Sequence, residues 1–219
     1  MAKNRIDWLY HILNLIVVFI GITAGFVLQN KKEAKINRSD ERHYIQGFKD
    51  EIKADIESLD RFITDDSTWF VQQSPKIALL ASDSLSDDSA MALIASMLNF
   101  SEFKPYDNTY SNIINSGNLS LIRDYDVRQS IVEYYKTVED YQIIDKYFHL
   151  FNTETFMPFV FTNIDLISNQ FRSAGEQNNS LFRNIVVAYR SYTKQRLDGF
   201  TELRNNSIET LKILEEHKN

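Results

Sequence analysis

The chain has 219 residues, 43% of them hydrophobic and 25% charged, with a formal net charge of −6. This is the composition of a folded protein rather than a disordered one, and its acidic balance argues against nucleic acid as the main partner. Six Gly, three Pro and no Cys argue against a turn-rich β-sandwich and a Gly-rich nucleotide fold, and exclude a disulfide scaffold, a thiol nucleophile and any Cys-based metal centre.

The first element is apolar. No Asp, Glu, Lys or Arg occurs between Asp7 and Lys31, and Trp8–Leu28 reads WLYHILNLIVVFIGITAGFVL. At about 1.5 Å per residue this run spans a hydrocarbon core of roughly 30 Å. Lys3 and Arg5 flank one end; Lys31, Lys32, Lys35 and Arg38 flank the other. The alternatives are a buried core helix or a cleavable signal peptide, for which Thr23-Ala24-Gly25 would serve as cleavage site. The length of the run favours a retained transmembrane helix. Asn14, Gly21 and Gly25 fall on one stripe of it at 100° per residue. The two glycines allow close approach of another helix and Asn14 supplies a hydrogen bond across it, so the stripe is a candidate helix-contact site.

Residues 1–30 carry a charge of +1, residues 31–42 carry +2, and residues 43–219 carry −9. The expected organisation is a tail and transmembrane helix over 1–30 and a helical-bundle domain over 31–219. The basic collar marks the headgroup layer. The basic count favours a cytoplasmic domain; the anchor's place at the N-terminus favours a periplasmic one.

From Asn30 to Gln73 the spacing of Tyr44, Phe48, Ile52, Ile56, Leu59, Ile63 and Phe70 predicts an amphipathic helix continuous with the span, ended or kinked at Ser74-Pro75. Ser86-Asp87-Asp88-Ser89 caps a short helix, and Asp107-Asn108-Thr109 caps another that Gly117 closes. Asp124 starts a helix of about 25 residues along Val127, Ile131, Tyr134, Val138, Tyr141, Ile144 and Phe148. Pro158 breaks the chain there, and residues 168–179 form a polar loop. A last long helix begins near Ser180, its buried face interrupted by a weaker patch at Arg196 and Ser207. No stretch alternates with a period of two. The predicted fold is all-α, a transmembrane helix running into an elongated antiparallel bundle.

The motif search suggests no catalytic, cofactor or metal site. The four His lack the spacing of a zinc or di-iron site. Asp145 and His149 read as a surface polar pair on one helix face. The acidic run SDSLSDDS lacks the Gly and closing Glu of a calcium loop. Ser191-x-x-Lys194 lacks the companion motifs of the penicillin-binding enzymes.

The segment TYSNIINSGNLSLIRD, Thr109–Asp124, followed by Arg128, Ile131, Tyr134 and Tyr135, resembles a motif of an uncharacterised family of single-span Bacteroidota proteins known only as a domain of unknown function. The anchor is similar too, in Gly21-Ile22-x-x-Gly25 and Leu28-Gln29-Asn30. The family's Trp after that Asn and its longer basic tail are missing here. The resemblance implies a single-pass anchor and a helical domain, and no catalytic activity. By its residues the motif is a helix corner: Gly117, followed by Asn118, turns the chain with a positive φ, Leu119, Leu121 and Ile122 plug the core, and Asp124 caps the next helix with Arg128 one turn on as its partner.

Together these features predict a non-enzymatic, inner-membrane accessory or assembly subunit. Its partners would be the bilayer and another membrane protein or a second copy of itself, and its domain would lie in the periplasm. The competing expectation is a periplasmic helical-bundle sensor that binds a small ligand and signals through a partner.

Overall fold

The computed structural model describes residues 4–173, 175 and 179–217. The fold is all-α. Helix α1 (Asn4–Ala81) is a single run of 78 residues, roughly 120 Å long. Its N-terminal part is long and apolar enough to cross a membrane, with a mean hydropathy of 2.3 over an 18-residue window, none of which is buried within the chain. No break marks residues 30–31. Packing against the rest of the chain begins at Glu41 and Ile45, so the apolar segment and its basic flank project free of the body.

Helices α2 (Asp87–Met97) and α3 (Asn108–Asn115), with a 3-10 turn at Asn118–Leu121, carry the chain back from the far end of α1. Helix α4 (Tyr125–Phe151) then runs parallel to α1, as the successive pairs Glu51–Tyr135 and Asp55–Tyr134, then Asp66 and Asp145 about Arg196, show. A π-helical turn, Asn152–Phe156, leads into α5 (Met157–Asn163). Two-residue strands β1 (Ile164–Asp165) and β2 (Gln170–Phe171) pair antiparallel. Helix α6 (Ser180–Glu216) returns antiparallel to both long helices, fixed by Arg183–Asp83 just beyond the end of α1 and along α1 by Arg196–Asp66, Arg204–Asp60 and Lys53–Glu215. At Gly199 it packs closely on α4, where a Cβ would lie 2.8 Å from the Tyr141 ring.

The caps act as the sequence predicts at two helix starts, and a third, Asn179, is added by the structure. Ser86 accepts from Ser89 N, Asp124 from Asp126 and Val127 N, and Asn179 from Leu181 N, each satisfying amides that lack an intrahelical partner. Asp107 instead accepts only from the Ser111 hydroxyl.

Three local expectations are corrected. Ser74-Pro75 does not end α1. Pro75 is exposed, while Gln73, Ile77 and Leu80 beyond it are buried, and this packing holds the helix together despite the lost amide. Pro158 does not break the chain either, because it falls in the first turn of α5, where no intrahelical N–H is required. Residues 164–171, where no strand is predicted and which run from the apolar segment 159–167 into the polar loop 168–179, form the small hairpin. Its strands are too short to show alternation.

The core is divided. A cluster at the far end gathers Leu80, Leu93, Phe156, Phe182 and Tyr189. A second, nearer the apolar segment, gathers Phe48, Ile52, Ile122, Ile131, Tyr134 and Phe200. Arg196, Asp66 and Asp145 lie at the level between them.

Candidate functional site

Two surfaces and one buried assembly carry the chain's distinctive chemistry. The first surface is the stripe Asn14, Gly21 and Gly25. All three are exposed, and a Cβ added at either glycine meets nothing within 4 Å. The buried side of α1 is set by Ile45, Phe48, Ile52, Asp55 and Leu59. At 100° per residue, the stripe projects roughly 180° from that side. A helix lying on the stripe would therefore not collide with the body.

The second is the corner. Gly117 has φ +70°, a conformation that strains any residue with a Cβ. Ile122 is fully buried and Leu119 packs at the edge of the core, whereas Asn118 is exposed. Arg128 does not pair with Asp124. Its guanidinium donates to Ile122 O at 2.8 Å and lies 5.5 Å from the centre of the Tyr125 ring. Asp124, already an N-cap, faces His217 Nδ1 at 3.4 Å, so the end of α6 is tied to the start of α4.

The buried assembly was not anticipated. Arg196 is 3% exposed, and its Nε lies 3.0 Å from Asp145 Oδ1 and 3.7 Å from Asp66 Oδ2. Its guanidinium stands 4.3 Å from the centre of the Phe148 ring, with Phe62 and Phe200 at 5.5 and 5.3 Å, and it donates to Ser101 O at 3.2 Å. Two carboxylates around one cation leave an excess negative charge. Burial, opposed by Arg196, raises Asp66 to about 6 and Asp145 above the usual carboxylate range. The pairing of Asp145 with His149 is therefore corrected: Asp145 points into the core toward Arg196.

The same assembly extends along α1 and α4 to hold the returning segment. Four carboxylates accept backbone N–H groups from residues 103–123: Asp145 from Phe103 at 2.7 Å, Asp55 from Tyr106 at 2.9 Å, Glu51 from Thr109 at 2.8 Å and Glu41 from Arg123 at 2.7 Å. Tyr134 and Tyr135 donate their hydroxyls to Asp55 and Glu51 at 2.7 and 3.0 Å. These amides lie in the loops beside α3 and the 3-10 turn or, at Thr109, in the first turn of α3, and the carboxylates supply acceptors that they lack within the local backbone. Burial, helped by the nearby charges of Glu51 and Asp107 and opposed by the hydrogen bonds from Tyr106 and Tyr134, raises Asp55 to about 6.

Among the described residues, no group of three or more His, Asp or Glu side chains converges in the manner of a metal site. Ser191 and Lys194 are both exposed, and Lys194 pairs with Asp198. A shallow cleft of about 330 Å³ opens between α1 and the segment after α2, with Arg61, Asp65, Glu102 and Lys104 on its walls.

Comparison with family models, with curated proteins and with solved structures finds no match to this chain.

Proposed function

We propose that this protein is a non-enzymatic, single-pass membrane subunit that joins another membrane protein, or a second copy of itself, through the outer face of α1. The observation that carries this reading is the phase relation along α1: the body occupies one side, and Asn14, Gly21 and Gly25 project from the other. An unbroken helix keeps that relation fixed, because turning the stripe would turn the body with it. The glycines let a partner backbone approach, and Asn14 adds a hydrogen bond of roughly 0.5–2 kcal/mol within the membrane.

Gly21→Ile with Gly25→Ile places branched side chains where the partner helix must lie. It is expected to weaken co-purification of the partner more than Ile16→Ala with Ile20→Ala does. Equal recovery from both double variants would show that the stripe makes no contact.

The body belongs in the periplasm and the span in the inner membrane on this reading, supported by the N-terminal place of the anchor and by the family resemblance. The basic residues after the span weigh the other way. Alkaline phosphatase fused to the C-terminus is expected to be active. An inactive phosphatase beside a fluorescent green-protein fusion would put the body in the cytoplasm.

A second reading, a ligand sensor, has one feature in its favour. The cleft near Phe62 offers charges of both signs, none of them in an ion pair among the described residues, the arrangement a small zwitterion would need. Isothermal titration with free amino acids tests it, and heat of binding lost in Arg61→Ala would favour the sensor.

A further inference from the structure

We propose that Lys31, Lys35, Arg38 and Arg42 form a site for the phosphate-bearing headgroups of anionic phospholipids, with the two lysines in direct contact and the two arginines attracting from above. The proposal rests on α1 crossing the bilayer. The four residues, with Ala34, line a groove of about 430 Å³ along α1. All four are exposed. None makes an ion pair with a carboxylate among the described residues.

Their spacing is selective. At 100° per residue the four fall within an arc of about 60°, on a flank of α1 roughly midway between the body and the glycine stripe. The acidic residues of the same stretch point elsewhere. Glu33 and Asp40 lie on the opposite flank, Glu33 accepting from Gln29, and Glu41 is buried against the Arg123 amide. Charge is thus sorted across the helix, and one flank carries cations alone.

Depth assigns the ligand. Lys31 stands about 4.5 Å beyond Leu28, the last residue of the apolar run, and Lys35 about 10 Å. The headgroup layer beyond the hydrocarbon is roughly 5–7 Å thick on each side. Side chains on a helix lean toward its N-terminus, which here is the membrane side. Lys31 and Lys35 therefore reach phosphates directly. Arg38 and Arg42 lie about 15 and 21 Å beyond Leu28. Arg38 lies about one Debye length from the headgroup surface and Arg42 beyond it, so their attraction is long-range, weaker at Arg42, and screened by salt. The body's charge of −9 over residues 43–219 is repelled by an anionic surface, so a headgroup bound on this flank also biases the tilt of α1 relative to the bilayer.

The full chain, reconstituted in bilayers of equal phosphatidylglycerol and phosphatidylcholine, is released into native mass spectrometry and its retained lipids counted. Phosphatidylglycerol is expected to be retained about tenfold over phosphatidylcholine, falling to about twofold in Lys31→Gln with Lys35→Gln. Arg38→Gln with Arg42→Gln is expected to lose part of the preference, mostly at low salt. Circular dichroism confirms that each variant keeps its helix content. No headgroup preference in a chain that resists alkaline carbonate extraction would overturn the site while leaving the span intact; extraction by carbonate would overturn the span itself. A preference unchanged in the lysine variant also overturns the site. So does equal competition by millimolar inorganic phosphate, which would make the groove a reader of free anions. Loss of a co-purifying acidic protein in the lysine variant, with lipid retention unchanged, would make it a protein-docking surface instead.

Discussion

Arg196→Met is expected to destabilise the body by about 3–5 kcal/mol at pH 7, the scale of removing one partner from a buried charge cluster. The substitution keeps an apolar stem but leaves Asp66 and Asp145 facing each other without a cation. It also removes a planar group from among Phe62, Phe148 and Phe200, which a Lys does not replace. Both carboxylates already sit above their usual range through burial. Losing the opposing charge raises them further, so they take up protons as the pH falls and the defect shrinks. Thermal unfolding of the full chain in neutral detergent, at pH 7 and pH 5, measures this. Adding Asp66→Leu and Asp145→Asn to Arg196→Met should recover most of the loss, since Asn keeps an acceptor for the Phe103 amide. A single variant as stable as the unaltered chain at pH 7 would mean that the ion cluster is solvated and has no structural weight.

The second large effect concerns Asp55, which is fully buried and raised to about 6. A carboxyl whose folded pKa exceeds its unfolded value binds protons more tightly when folded. Its contribution to stability is complete below the unfolded pKa near 4 and is lost as the pH rises through 6. Asp66 has the same sign. Asp124 and Asp165 have the opposite sign, held low by backbone N–H groups, so their contribution is present at neutral pH and is lost only on strong acidification. The body should therefore be most stable near pH 5, by about 2 kcal/mol over pH 7.5. Asp55→Asn retains an acceptor for the Tyr106 amide and removes the charge, so it should flatten the profile and leave stability at pH 7.5 equal or higher. Asp55→Ala orphans the Tyr106 amide and the Tyr134 hydroxyl and should cost about 2–3 kcal/mol at either pH. Chemical denaturation across pH 4–8 separates the two. A profile that rises steadily to pH 8 would contradict the assignment.

Residues with strong local signals were legible before the fold was known. The charge-free run up to Leu28 identifies the segment that is long and apolar enough to cross a membrane. Ser86, Gly117 and Asp124 mark helix ends because their side-chain or backbone chemistry acts within three residues. Pro75 misled for the converse reason: its local cost is real, but burial of Ile77 and Leu80 decides against it; Pro158 misled because in the first turn of α5 a proline carries little such cost. The buried charges were hidden by distance. Asp66 and Asp145 meet Arg196 only after α1, α4 and α6 assemble, and no spacing along one helix reveals a partner on another. A signal was nonetheless present. Asp55 shares a helix face with Ile52 and Leu59, and Arg196 puts a charge on the buried face of α6. A charged residue on a core face calls for a buried counter-charge or for backbone donors. The Asp145–His149 pairing failed because i, i+4 spacing describes neighbours on a helix surface, whereas Asp145 is 2% exposed.

The central claim is that the face of α1 away from the body holds a second membrane protein or a second copy. The most direct measurement is the mass of the particle extracted from native membranes in a mild detergent, determined by light scattering with the detergent contribution removed. The proposed role requires a defined mass above the 25.6 kDa of one chain, falling toward that value in Gly21→Ile with Gly25→Ile but not in Ile16→Ala with Ile20→Ala. A particle of one chain, unchanged by either pair, would contradict it.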